Sequence, residues 1–238
     1  MLQQDLDTAL TELAYGCRIL SMEGHADMTL GHLSLRDPAG RGVWLKRSGI
    51  GLGEVRDAGD FVLLDFAGNR LSGTGRLHKE WPIHTEILLK RPDISVVGHS
   101  HPFHATAFSA LDVELSAVTN EAVYLGSQPR RFRETTGLID TPALGASLAR
   151  ALGDASTVLM RNHGISFVGP SIAIATMMGV FMERACRSEL ALLATDIAYS
   201  ATAPERIAQK HAEIFDPGLI ETFWAFFKRQ ADQLQAAR

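Results

Sequence analysis

Short apolar runs bounded by turn residues crowd the middle of the chain, while helical periodicity holds its two ends, and this distribution restricts the fold more than any other feature. "TLGHLSLR" alternates in the strand manner through Leu33 and Leu35, "GVWLK" and "DFVLLDF" follow, and Gly68-Asn69 supplies a turn. "ISVVGHS" is a further short apolar strand, and "TVLMRNHGISFVG" reads as two strands broken by an Asn-His-Gly turn. Ahead of them, residues 2 to about 23 predict a helix, with Leu6, Leu10, Leu13, Cys17 and Leu20 at helical spacing and Gly24 just past its end. A second helix starts near "KEWPIHTEILLK", because Pro82 is tolerated only in a first helical turn, and Glu80 therefore lies at or near a helix N-terminus. "PFHATAFSA" predicts a short helix and "TPALGASLARAL" a longer one with Thr141 as its N-cap. A long helix runs from Ser171 to about Ser200, and two more end the chain. Strands in the middle with helices before, between and after them indicate an α/β layered arrangement, a mixed sheet flanked by helices. Without a repeat or a linker rich in Ser, Gly and Pro, residues 1–238 read as one domain.

The formal net charge of −4 gives no basic excess of the kind that steers nucleic acid or membrane binding, so a small-molecule partner is expected. Two cysteines, Cys17 and Cys186, fall in helical segments and read as buried thiols rather than a disulfide, which suits a reducing cytoplasm. The N-terminus "MLQQDLDTAL" is acidic where a secretory signal is basic, and "SIAIATMMGVFM" is too short to span a bilayer.

Chemistry concentrates in "VVGHSHPFH". Residues two apart in a strand share a face, so His99 and His101 project side by side from the end of "ISVV", a spacing that suits two imidazoles on one metal ion. His163, in the turn "RNHGIS" with Gly164 beside it, completes three nitrogen donors, the usual protein share of a catalytic zinc-like site with open positions. Glu80 supplies a hard oxygen ligand, a general base, or merely a partner for the helix dipole. His104 either reaches substrate or caps the helix after His101. His84 hydrogen-bonds Glu80 or packs in the core, and His25 and His211 read as surface residues.

"HKEWPIHTEIL", "VVGHSHPFHATAFS" and "VLMRNHGISFVG" resemble the three signature segments of the class II aldolase/adducin family, and the first helix, "GHLSLR" and the long helix from Ser171 fall in the family's order. The resemblance implies a three-layer αβα domain around a mixed, mainly antiparallel sheet, a homotetramer with active sites between neighbouring subunits, and a divalent metal (Mn2+, Zn2+, Co2+ or Fe2+). By position, His99, His101 and His163 match the metal histidines and Glu80 the acidic ligand or acid/base residue. The adducins lack this set, which disfavours a silent interaction protein.

Members acting on sugar phosphates carry an Asn in "GNxS", a Thr-Gly pair and a Ser-Ser pair before the Glu. This chain has His32 in "GHLS", Ser48-Gly49, and His78-Lys79. Loss of the paired hydroxyls argues against a sugar phosphate. His32, His78, Lys79 and Lys46 or Arg47 would instead pair with carboxylate or phenolate oxygens. Arg130, Arg131 and Arg133 of "PRRFRE" face substrate or form rim salt bridges, and Tyr199, Phe223 and Trp224 either reach a neighbouring subunit or pack in the core. The altered pocket resembles the family's aromatic-acid decarboxylases, of the dihydroxyphthalate and hydroxy-methylpyridine-dicarboxylate type. The expected activity is decarboxylation of a hydroxylated aromatic carboxylate through a metal-stabilised enolate, with Glu80, or an acid relayed through His104, as proton donor. A retro-aldol lyase acting on a non-phosphorylated substrate and an iron-dependent oxygenase are the alternatives.

Overall fold

Eight strands form one sheet in the computed structural model, which describes residues 2–236. They are β1 (His32–Arg36), β2 (Val43–Lys46), β3 (Phe61–Leu64), β4 (Arg70–Ser72), β5 (Val96–Ser100), β6 (Arg130–Phe132), β7 (Thr157–Met160) and β8 (Gly164–Gly169), in spatial order β4-β3-β2-β1-β5-β8-β7-β6. Every neighbouring pair is antiparallel except β6–β7. Strands β4 and β6 escape the sequence pattern because "RLS" and "RRF" are three-residue polar edges with no apolar alternation.

The helices are α1 (Leu2–Leu20), α2 (Trp81–Lys90), α3 (Phe103–Ser109), α4 (Asn120–Tyr124), α5 (Pro142–Leu152), α6 (Ile172–Leu193), α7 (Pro204–Ile214) and α8 (Pro217–Ala236). Two cores sandwich the sheet. On one face Leu33, Val96, Ile165 and Phe167 pack against α1 and α6; on the other Val43, Val97, Val158 and Val168 pack against α2 and α5. Neighbours Val96 and Val97 thus serve opposite layers, as strand alternation requires, and the result is the αβα arrangement.

Three expectations shift. The first helix stops at Leu20, and one wide turn, Ser21–His25, follows with Gly24 at φ +91 redirecting the chain. That turn carries His25 inward, so it is fully buried rather than on the surface, with Nδ1 2.8 Å from Ser100 Oγ and burial pushing its pKa down to about 3. The long helix ends at Leu193, seven residues early; the exposed stretch after it has no apolar face to bury, and Thr195 closes a tight turn onto the Leu192 carbonyl. His211 is half-buried, stacked on Phe215 at 4.7 Å. Cys17 and Cys186 are buried free thiols, and among the described residues no helix is long and apolar enough to cross a membrane.

Candidate metal centre

His99 lies in β5 and His101 just beyond its end, and their Nε2 atoms stand 3.0 Å apart. Each ring is oriented from its other side. His99 Nδ1 donates to the Ile165 carbonyl at 2.9 Å, and His101 Nδ1 donates to Asp27 Oδ2 at 3.0 Å. With Nδ1 so engaged on each ring, both histidines turn Nε2, the nitrogen left for a metal, toward the same point.

The third imidazole comes from the β7–β8 turn, where Asn162 takes φ +54 and the His163 N–H bonds the Met160 carbonyl. Gly164 is required there, since a Cβ would come within 2.5 Å of the Ser100 carbonyl oxygen and 2.7 Å of the His101 ring. His163 stacks on His101 with centroids 5.3 Å apart.

Glu80 precedes α2, yet its side chain makes no capping bond to that helix. It turns instead toward the histidines, with Oε2 3.5 Å from His99 Nε2, Oε1 3.4 Å from His163 Nε2, and Oε1 accepting the Ile139 N–H at 2.9 Å. Burial alone would raise its carboxyl, but the His99 and His163 imidazoles and the Ile139 N–H hold it well below the ordinary carboxylate range. Burial, reinforced by neighbouring His99, lowers His101 to about 4, so the ring stays neutral. The four donor atoms lie within 4.8 Å of one another. Three imidazole nitrogens and one carboxylate oxygen with paired lone pairs fit a divalent transition metal.

A second group of imidazoles backs the first. His32 is paired in register with His99, their ring centroids 5.1 Å apart, while His78 lies 4.3 Å from the His32 ring. His84 bonds His32 rather than Glu80. Burial comes first in lowering all three, His78 to about 3 and His32 and His84 well below the ordinary imidazole value.

The other singled-out residues divide. His104 donates Nδ1–H to Glu183 Oε1 at 2.6 Å, and the same carboxylate takes the His104 and Ala105 N–H groups that open α3. Lys79 is exposed. Lys46 is fully buried, its ammonium bonded to the Ile50 and Arg47 carbonyls, and burial lowers it to about 8. Arg47 pairs with Asp60 at 3.0 Å; Ser48 bridges to Arg76, and Gly49 sits at φ +90 with open space around it. Arg130 pairs with Asp154 and Arg133 with Asp112, whereas Arg131 bonds the Leu111 and Val113 carbonyls, around a cleft of about 370 Å³. Trp224 donates to Glu12 and Tyr199 to Glu189, and Phe223 packs against the core.

Sequence reading misses Asp27 and Glu183. Nothing local marks Asp27, 74 residues from His101. Glu183 does carry a signal, an acid in the apolar run "MMGVFMERA" that burial obliges to find donors.

Comparison with known proteins finds relatives of this chain in one family. The model of the family described as "Class II Aldolase and Adducin N-terminal domain" matches residues 11–190. The chain is 30% identical over 188 residues to a 3,4-dihydroxyphthalate decarboxylase of Arthrobacter keyseri, covering 72% of this chain and 73% of that one. It is 27% identical over 205 residues to a 3,4-dihydroxyphthalate decarboxylase of Rhodococcus jostii (strain RHA1), covering 81% and 84%. An L-fuculose 1-phosphate aldolase from Glaciozyma antarctica PI12 shares the fold, with a TM-score of 0.86 at 20% identity over 100% of this chain and 93% of that one.

Proposed function

Because the chain belongs to the class II aldolase and adducin family, we propose that it is a divalent-metal-dependent carbon–carbon lyase, specifically one that removes carbon dioxide from a hydroxylated aromatic carboxylate. The observation that carries the reading is the buried imidazole group of His32, His78 and His84 beside His99, in which His32 and His78 take the positions where the resemblance puts an Asn and a Ser in members acting on sugar phosphates. The similarity to two dihydroxyphthalate decarboxylases supports it.

His99, His101, His163 and Glu80 would hold the metal, which supplies Lewis-acid stabilisation of the negative charge developing on a phenolic oxygen. The residues do the rest. Exposed Lys79 adjoins Glu80 in sequence and serves as the cation that meets a substrate carboxylate. Either Glu80, ionised at rest, takes the proton of the phenolic hydroxyl and passes it to the ring carbon bearing the carboxylate, or His104 delivers one there. Glu183 holds His104 with its Nδ1 proton engaged, which leaves Nε2 for that transfer. The carbon–carbon bond then breaks, carbon dioxide departs, and the bonding pair returns to the ring.

The same reading makes the protein a homotetramer with sites at subunit boundaries. Met28 and Phe103, 80% and 76% exposed, adjoin Asp27 and Pro102 at the site and are apolar surfaces for a neighbour to cover. Incubation of metal-loaded protein with 3,4-dihydroxyphthalate should release carbon dioxide, and Lys79→Ser should raise KM. Aldehyde release from a sugar substrate, or oxygen uptake with ferrous iron, in place of carbon dioxide release would overturn the assignment in favour of an aldolase or an oxygenase.

A further inference from the structure

Polar side chains behind His99 form one directed chain. His32 Nδ1 lies 2.6 Å from His84 Nε2, His84 Nδ1 lies 2.7 Å from Ser34 Oγ, and the Ser34 hydroxyl donates to the Val97 carbonyl at 3.3 Å. All three side chains are buried. The end of the chain sets its direction. A carbonyl only accepts, so the Ser34 proton points to Val97 and a lone pair of Oγ faces His84. His84 then carries its proton on Nδ1 and accepts at Nε2, and His32 must carry its proton on Nδ1. His32 Nε2 is left as an acceptor, on a ring whose centroid lies 4.3 Å from that of His78 and 5.1 Å from that of the ligand His99. A second proton there would place a buried cation beside the metal position, so the ring is neutral.

We propose that His84 is a positioning residue that locks His32 in the Nδ1–H tautomer, so that His32 Nε2 accepts a hydrogen bond from a substrate hydroxyl and the site selects ligands that retain that proton. This reverses the expectation that His32 meets an anionic oxygen, because its lone pair repels one. That the hydroxyl belongs to an aromatic ring rests on the decarboxylase reading; the tautomer does not.

Long-range proton–nitrogen correlation spectra of histidine-labelled protein, metal-free and zinc-loaded, test the tautomer, with His32 assigned by its loss in His32→Gln. The wild type should show a protonated Nδ1 and a bare Nε2 at His32. His84→Phe should convert this to the Nε2–H form or a mixture, and His84→Gln, which keeps an acceptor, should restore it. A wild-type His32 protonated on Nε2, or a His84→Phe spectrum unchanged at His32, overturns the positioning role. Should His84→Phe fail to fold, Ser34→Ala serves instead, since it frees His84 to reverse and should disturb the His32 pattern.

Binding supplies the second arm. Wild type should prefer 3,4-dihydroxyphthalate to its mono-O-methyl ethers by about tenfold or more, the worth of one well-made hydrogen bond, and His84→Phe should narrow the gap to about threefold. Equal binding in the wild type overturns hydroxyl selection. A protein with the Nδ1–H tautomer that binds none of these ligands supports the positioning role and refutes the decarboxylase reading alone.

Discussion

Replacing Asp27 by alanine should loosen the metal by one to two orders of magnitude while leaving the fold in place. His99 is oriented by the Ile165 carbonyl, which no side-chain substitution removes, whereas His101 depends on the Asp27 carboxylate at 3.0 Å. The Asp27 side chain is 30% exposed, so solvent screens the direct attraction between carboxylate and ion. What Asp27 contributes is the His101 tautomer and ring orientation. Loss of such an outer hydrogen bond to a metal-bound histidine lowers affinity by about 10–100-fold. At about 1.4 kcal/mol per tenfold change, this is about 1.4–2.7 kcal/mol carried by one ligand of four. Asp27→Asn keeps an acceptor without the charge and should fall near the lower bound.

Zinc titration in competition with a chelator reads the effect directly, and activity at saturating metal should stay within about threefold of wild type. Melting of the metal-free variant should shift by no more than about 2 °C, since a substitution at a partly exposed side chain changes stability by about 0.5 kcal/mol. An unchanged zinc dissociation constant in Asp27→Ala would refute the reasoning. So would a metal-free melting loss large enough to account for weaker binding by itself.

Three further outcomes are expected. His99→Ala and His163→Ala should abolish stoichiometric metal together with activity, read by elemental analysis of unsupplemented protein. Glu80→Gln should lower turnover by about 10²–10⁴-fold, as loss of a proton-transfer group does, with little change in melting because the amide oxygen still accepts the Ile139 N–H. His25, buried neutral with its pKa lowered to about 3, binds its proton more readily when unfolded. Its contribution is complete above pH about 6.5 and declines by about 1.4 kcal/mol per pH unit as pH falls toward 3, so urea midpoints of His25→Gln should be less acid-sensitive by that slope.

Local rules account for the legible parts of the molecule. Pro82 places the start of α2, the apolar run Ile94–Val97 leads into β5, and the Asn-His-Gly turn separates β7 from β8. Each is decided within a few residues by backbone sterics or burial. The same reasoning fails where tertiary contact overrides local character. Polar "RRF" becomes a strand only because β7 pairs with it, and His25 is buried because one glycine turns it inward. Lys46 reads as a cation for a substrate carboxylate or phenolate, yet it ends under the Arg47 and Ile50 carbonyls in a strand whose whole length is interior.

The candidate site shows the same division inside a single side chain. One nitrogen of His99 and one of His101 meet because a strand repeats every two residues, which is visible in "HSH". The partners of their other nitrogens, Ile165 and Asp27, are 66 and 74 residues distant, and Glu80 reaches Ile139 across 59. Spacing therefore nominates donor residues, but their protonation pattern belongs to the fold. Since an imidazole binds a metal only through its bare nitrogen, the distant acceptors decide whether the nominated residues are ligands at all. His32 makes the point most sharply. Its position in "GHLS" suggests a donor to an anion, and only the contacts with His84 and Ser34, invisible in that segment, turn it into an acceptor.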